Sequence, residues 1–185
     1  MLAEVKLSMK YLSTILIVDD ELGGRKNLEG LLIGHGYNLA FAENGPEALT
    51  KAFELLPDLI LLDVMMPGMD GFEVCQRLRS DPLLAEVPIL MVTALDDRSF
   101  RLKGIEAGAD DFISKPFDRT ELRTRVKSIL RLNRYRSLLL ERIKFERLFE
   151  LSPNGVVIVN VEGIIHLANP KTAEIFHVQD NSVLL

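Results

Sequence analysis

Hydrophobic and polar positions alternate in a regular way over the first 117 residues. Short apolar runs rich in branched side chains are separated by segments in which apolar residues recur at helical spacing. The runs predict five strands, at 14–18, 37–42, 59–62, 88–93 and 110–114. The segments between them predict four helices, at 22–34, 46–56, 71–79 and 97–107. Gly, Pro, Asn and Asp mark most of the joins, as expected for turns.

This alternation predicts a doubly wound α/β domain. Strands that alternate with helices form a parallel sheet with helices on both faces. The runs at 59–62 and 88–93 are almost continuously apolar, which is typical of central strands covered on both sides.

A different pattern follows Phe117. No Gly or Pro occurs until Pro153, so we expect one long helix over 118–150, its first half packed on the sheet and its second half extending beyond it. A coiled coil is one option for the second half, although Arg136 interrupts the apolar seam. Strands at 156–160 and 164–167 and a short helix up to Phe176 follow.

These patterns divide the chain into four parts. They are an N-terminal extension (1–12), the α/β domain (13–132), a linker helix (133–150) and a short β-rich fragment (151–185). The last part is too small to bury a core of its own, so we expect it to be the beginning of a second, incomplete domain.

Composition and charge narrow the function classes. The 185 residues carry a net charge of −5, and the one cysteine, Cys75, excludes a disulfide framework or a cysteine metal cluster. Residues 118–150 hold ten basic and five acidic side chains, a net of +5. A solvated helix face, or one facing an acidic partner, explains this better than nucleic acid binding. Without an apolar stretch of eighteen residues or a secretory signal, we expect a soluble cytoplasmic protein and no membrane partner.

Polar residues stand where the predicted strands end. Asp19 and Asp20 follow the first strand, Asp63 the third, Thr93 lies at the end of the fourth, and Lys115 follows the fifth. Ligands of an open parallel sheet bind at this edge. Three carboxylates repel one another unless a cation lies among them, and oxygen ligands of this kind suit Mg²⁺. One carboxylate can then act as a nucleophile and form an aspartyl phosphate.

The same segments carry a family resemblance. IVDDE at 17–21, LLDVMMPGMDG at 61–71, VTA at 92–94 and GADDFISKPF at 108–117 occur in order and resemble the response-regulator receiver family over 13–132. The expected fold is flavodoxin-like, a five-stranded parallel sheet of order 2-1-3-4-5. The resemblance implies that Asp63 is the phosphoacceptor. It also implies that Asp19, Asp20, Asp63 and the backbone carbonyl of Met65 hold Mg²⁺.

Three further roles follow from the resemblance. Lys115 matches the active-site lysine, with a cis bond to Pro116. Thr93 and Phe112 match the switch pair, in which the hydroxyl moves toward the phosphoryl group and the ring turns inward. Each residue also has a simpler reading: Asp19 or Asp20 as a helix N-cap, Asp63 as a surface turn residue, Thr93 as a strand-end hydroxyl, and Phe112 as core packing.

Two other function classes compete with a phosphoacceptor switch. A metal-dependent phosphohydrolase of similar fold would use an Asp nucleophile after the first strand, but it usually has Asp-x-Asp there, and Leu22 replaces the second spaced carboxylate. A non-phosphorylated interaction module would not need the metal carboxylates. We therefore expect a switch with only self-phosphorylation and self-dephosphorylation chemistry.

The C-terminal part resembles the start of a PAS sensory domain. The motifs are RLFELSPNGVVIV at 147–159 and GIIHLANPKTA at 163–173. The two resemblances together imply a histidine kinase or phosphotransfer protein as partner. They also suggest a homodimer through the fourth helix, fifth strand, fifth helix and linker helix. An output module, such as a diguanylate cyclase or a histidine kinase, would follow.

Overall fold

A computed structural model describes residues 12–94 and 98–177. Most of the predicted extension (1–12), Asp97 at the predicted start of the fourth helix, and residues 178–185 of the last predicted part lie outside these ranges.

The first part of the chain forms one five-stranded parallel sheet. Its strands are β1 (Ser13–Val18), β2 (Tyr37–Ala42), β3 (Leu59–Asp63), β4 (Ile89–Thr93) and β5 (Asp111–Ser114). They are ordered β2-β1-β3-β4-β5, which confirms the predicted topology. The helices are α1 (Leu22–Leu32), α2 (Gly45–Leu55), α3 (Gly71–Ser80), α4 (Arg98–Ala107) and α5 (Arg119–Glu150).

Each strand contributes side chains to two separate cores, because successive residues of a strand point to opposite faces of the sheet. Leu16 and Ile60 belong to a cluster that includes residues of α2, α3 and α4. Ile15 and Leu59 belong to the other, which includes residues of α1 and the first turns of α5. Every residue of β3 is buried, so this central strand ends inside the protein.

Element ends differ from the prediction by one or two residues where the chain turns. Helix α1 ends at Leu32, two residues early, because Gly34 and Gly36 adopt positive φ angles of 79° and 77° that end a helix. Helix α2 begins at Gly45, one residue early, since the Asn44 side chain accepts the Glu47 N–H and caps it.

The C-terminal part forms a small second unit. The chain divides into two compact units between Asn133 and Arg134, a boundary that falls inside α5. In the second unit, β6 (Val157–Val159) and β7 (Ile165–Ala168) pair antiparallel, and α6 (Pro170–Phe176) follows. Over 12–94 and 98–177, no helix is long and apolar enough to cross a membrane.

Asn169 lies at the centre of this second unit and is fully buried. Its Oδ1 accepts hydrogen bonds from Val156 N, Thr172 N and Thr172 Oγ1, at 2.9, 3.1 and 2.8 Å. Its Nδ2 donates to the carbonyls of Phe149 and Asn154, at 3.0 and 2.9 Å. One amide therefore joins the last turn of α5 to the residue before β6 and to α6.

Candidate functional site

Three carboxylates converge at the carboxyl edge of the sheet. Asp19 and Asp20 follow β1, and Asp63 is the last residue of the neighbouring strand β3. One oxygen from each of the three lies within 4.8 Å of the other two. Asp19 and Asp63 are buried, at 0% and 6% exposed, so neither is a surface turn residue. The N-cap of α1 is Glu21, whose N–H donates to Asp19 Oδ1 at 2.9 Å.

Lys115 closes this cluster from the end of β5. Its Nζ donates to Asp63 Oδ2 at 2.8 Å and to Asp19 Oδ2 at 2.9 Å. Its backbone N–H donates to Thr93 O at 2.6 Å, and the bond to Pro116 is cis, as predicted. One ammonium therefore bridges two of the three carboxylates.

Burial and charge act against each other on both partners of this bridge. Burial raises the pKa of Asp63 above its ordinary value, although the hydrogen bond and charge of Lys115 and the Met65 N–H oppose the rise. Burial alone would lower the pKa of Lys115, but its hydrogen bonds to Asp63 and Asp19 and their charges outweigh that effect and raise it. Lys115 is therefore an ammonium at neutral pH.

The remaining predicted site residues surround the cluster. Thr93, at the end of β4, is 3% exposed and pairs in register with Ser114 of β5. The Met65 side chain points to solvent, whereas its backbone N–H donates to Asp63 Oδ1 at 3.2 Å. Phe112 is half-buried and packs against the core on the α2–α4 side of the sheet.

Three glycines allow close approaches that the sequence analysis did not identify. A Cβ on Gly24 would lie 2.2 Å from Asp19 Oδ2, and one on Gly71 would lie 2.3 Å from Asp63 O. A Cβ on Gly104 would lie 2.4 Å from Cε1 of Phe112. At each of these three positions any side chain would overlap its neighbour, which is the Asp19 carboxylate, the end of β3 or the Phe112 ring. Glycine is therefore the residue type that fits there.

The sequence analysis also missed Arg25, which lies beside the carboxylate cluster. It is 7% exposed and donates to the carbonyls of Asp19 and Asp20 and to the carboxylate of Glu43. A signal was present: Arg25 stands at positions i, i+3 and i+7 with Leu28 and Leu32, the buried face of α1.

The carboxylate cluster suits a hard divalent cation. Mg²⁺ is bound in proteins by one or two carboxylates together with water and phosphate oxygens. Asp19, Asp20 and Asp63 offer oxygen ligands only, which fits Mg²⁺ better than the softer transition metals.

Comparison with known protein families identifies two domains. The family model described as "Response regulator receiver domain" matches residues 15–127. The chain belongs to the response regulator receiver family. A second family model, "PAS domain", matches residues 143–184. Both resemblances noted from the sequence are thereby confirmed.

Individual relatives match large parts of the chain. "Response regulator PleD" of Caulobacter vibrioides is 49% identical over 117 residues, which are 63% of this chain and 26% of that protein. "Histidine kinase P4" of Formosa agariphila is 38% identical over 156 residues, 84% of this chain and 11% of that protein. The chain therefore spans about a quarter or less of these relatives.

A solved structure shows the same fold. The crystal structure of a putative response regulator from Chloroflexus aurantiacus has a TM-score of 0.62 and is 46% identical, covering 64% of this chain and 98% of that one. Receiver domains as a class act in phosphoacceptor signalling, with histidine kinases or phosphotransfer proteins as partners.

Proposed function

We propose that the chain is a phosphorelay switch that accepts a phosphoryl group from a phosphohistidine onto Asp63. The observation that carries this proposal is the position of the Asp63 carboxylate. It is buried at the end of the central strand, 2.8 Å from the Lys115 ammonium and next to two further carboxylates. A histidine kinase or a phosphotransfer protein would be the donor.

In the proposed transfer, a carboxylate oxygen of Asp63 attacks the phosphorus, the N–P bond breaks, and its electron pair returns to the imidazole of the donor. The Lys115 ammonium then pairs with the new phosphoryl oxygens. Asp19, Asp20, Asp63 and the Met65 carbonyl would hold Mg²⁺. When bound, Mg²⁺ supplies the positive charge that offsets the incoming phosphoryl group.

The response to phosphorylation would begin at Thr93 and Phe112. The Thr93 hydroxyl would hydrogen-bond a phosphoryl oxygen, and the Phe112 ring would change position. The change would bias the surface of α4, β5 and α5, where a homodimer would form, and pass along the linker (133–150) to the PAS-like part (151–185) and an output module. The receiver would be 13–132. Its chemistry would be limited to gaining and losing its own phosphoryl group.

The acceptor assignment is tested with Asp63→Asn. The parent and the variant are incubated with Mg²⁺ and acetyl phosphate, and the covalent phosphoryl group is followed by intact-protein mass spectrometry. We expect the parent to gain one phosphoryl group and Asp63→Asn to gain none, because an amide is a poor nucleophile.

Asp81→Asn is the matched control. Asp81 follows α3, at the opposite edge of the sheet, and Asn would still accept the Leu83 N–H through Oδ1. This control should label like the parent. Labelling of Asp63→Asn at the parental rate would disprove the acceptor assignment. Multiple turnover of a phosphate ester by the parent would instead favour the phosphohydrolase.

A further inference from the structure

Arg25 is a charged side chain on the buried face of α1. It lies on the face of α1 that carries Leu28 and Leu32, and it is 7% exposed. A buried guanidinium is costly unless its N–H groups are hydrogen-bonded and its charge is paired. Its partners therefore indicate what the residue does.

Those partners are Asp19 and Asp20, which follow β1, and Glu43, which follows β2. Nη1 donates to Asp19 O at 2.7 Å and to Asp20 O at 3.2 Å, and Nη2 donates to Glu43 Oε1 at 2.7 Å. The guanidinium therefore connects the backbone carbonyls of Asp19 and Asp20 to Glu43, which follows β2. Glu43 is solvent-exposed at its side chain, so its role is to orient the guanidinium from outside.

The bonds to the two carbonyls restrain the backbone that carries the Asp19 and Asp20 carboxylates. Asp19 is fully buried and is further held by its N–H to Ala42 O and by the Glu21 N–H at its carboxylate. Asp20 is only half-buried, so packing restrains it less, and the bond from Arg25 restrains its backbone directly. Loss of that bond would let the Asp20 carboxylate move away from Asp63.

We propose that Arg25 is a positioning residue for the divalent cation site. It touches neither cation nor phosphoryl group, and it acts by holding the backbone of Asp19 and Asp20 so that their carboxylates converge on Asp63. This inference rests on the proposed function, since it assumes that these carboxylates bind Mg²⁺.

The test is the Mg²⁺ affinity of the 185-residue chain, measured by isothermal titration calorimetry without any phosphodonor. Residues that orient metal ligands typically contribute 10- to 100-fold in affinity, so we expect Arg25→Gln to weaken Mg²⁺ binding by about tenfold or more. Arg25→Lys should weaken it less, because an ammonium can reach one carbonyl but cannot copy the fork. Glu43→Gln, which keeps the bonds to both carbonyls, should have a smaller effect than Arg25→Gln.

Arg77→Gln is the matched control, because Arg77 forms an exposed pair with Glu73 on α3 and should leave Mg²⁺ affinity unchanged. Thermal unfolding is recorded for every variant, and titrations are made well below each midpoint. If Arg25→Gln does not fold, Arg25→Lys decides the test.

The outcomes separate the two claims. If the parent and the folded variants Arg25→Gln and Arg25→Lys bind Mg²⁺ equally well, and only the unfolding midpoints of the variants are lowered, the positioning role alone is overturned. A parent that does not bind Mg²⁺ would overturn the metal part of the proposed function and this inference with it. Weaker binding by the Arg25 variants, with unchanged binding by Arg77→Gln, would support it.

Discussion

Replacing Asn169 by alanine should unfold the second unit while the receiver stays folded. The substitution removes five hydrogen bonds that a fully buried amide makes. Three of the former partners keep another hydrogen bond. Thr172 N still donates to Asn169 O, and Thr172 Oγ1 still donates to Val156 O. The carbonyl of Asn154 still accepts from Ser152 Oγ. The N–H of Val156 and the carbonyl of Phe149 lose the partner described for them.

The size of the effect follows from these two groups. A buried polar group left without a partner costs about 1–3 kcal/mol. Because both of these groups are only partly buried, we expect the lower part of that range for each, so Asn169→Ala should lose roughly 2–4 kcal/mol. A unit of about 50 residues has at most roughly 2.5–7.5 kcal/mol in total. The loss is therefore comparable with the whole stability of the unit.

Hydrogen exchange followed by mass spectrometry on the 185-residue chain measures this directly. Peptides from β6, β7 and α6 should lose protection in Asn169→Ala, and peptides from β1, β3 and β4 should keep it. Asn160→Ala is the matched control, since Asn160 accepts two backbone N–H groups in an exposed turn where water can replace it. Parental protection of β6 and α6 in Asn169→Ala would refute the reasoning.

Two further predictions concern the receiver. Gly104→Ala should destabilise it by about 1–3 kcal/mol in urea unfolding, because the new Cβ overlaps the Phe112 ring, although alanine normally stabilises a helix. In a Phe112→Ala background, Gly104→Ala should no longer lower the free energy of unfolding. A Gly104→Ala variant more stable than the parent would contradict the overlap. Burial raises the pKa of the Cys75 thiol to about 11, and its Sγ donates to Ala107 O at 3.2 Å. Below that pH the thiol is protonated, so the folded chain should resist Ellman's reagent at pH 8 and react fully in urea; rapid reaction when folded would contradict this.

The strands of the receiver were predictable because apolar runs and buried strands coincide. The prediction ended the third strand at Leu62, before a charged residue, but β3 continues through Asp63. Lys115, 52 residues later, donates to that carboxylate at 2.8 Å, and this pairing makes its burial tolerable. The fifth strand begins at Asp111 rather than Asp110, and the Asp110 side chain accepts hydrogen bonds from Arg79 and from Ile89 N.

The site was predictable to the extent that it depends on strand ends. Asp19, Asp63 and Lys115 converge because parallel strands bring their carboxyl ends to one edge. Arg25 and Asn169 could not be assigned in the same way. Neither stands at the end of a parallel strand, so the sheet topology does not place its partners beside it. The contacts of Arg25 with Glu43 and of Asn169 with Phe149 appear only in the folded chain. The chemical roles predicted for the site residues all stay predictions: Asp63, Asp19, Asp20, Lys115, Thr93, Phe112 and Met65.

The bridge made by Lys115 also sets the formal charge of the site. Three carboxylates and one ammonium leave a charge of −2, which one divalent cation neutralises and one monovalent cation does not. Without Lys115 the same cluster would carry −3, and a divalent ion would leave it negative toward an anionic phosphodonor. The lysine thus matches the valence of the cation to the charge of the cluster, so that the donor would meet a site that does not repel it.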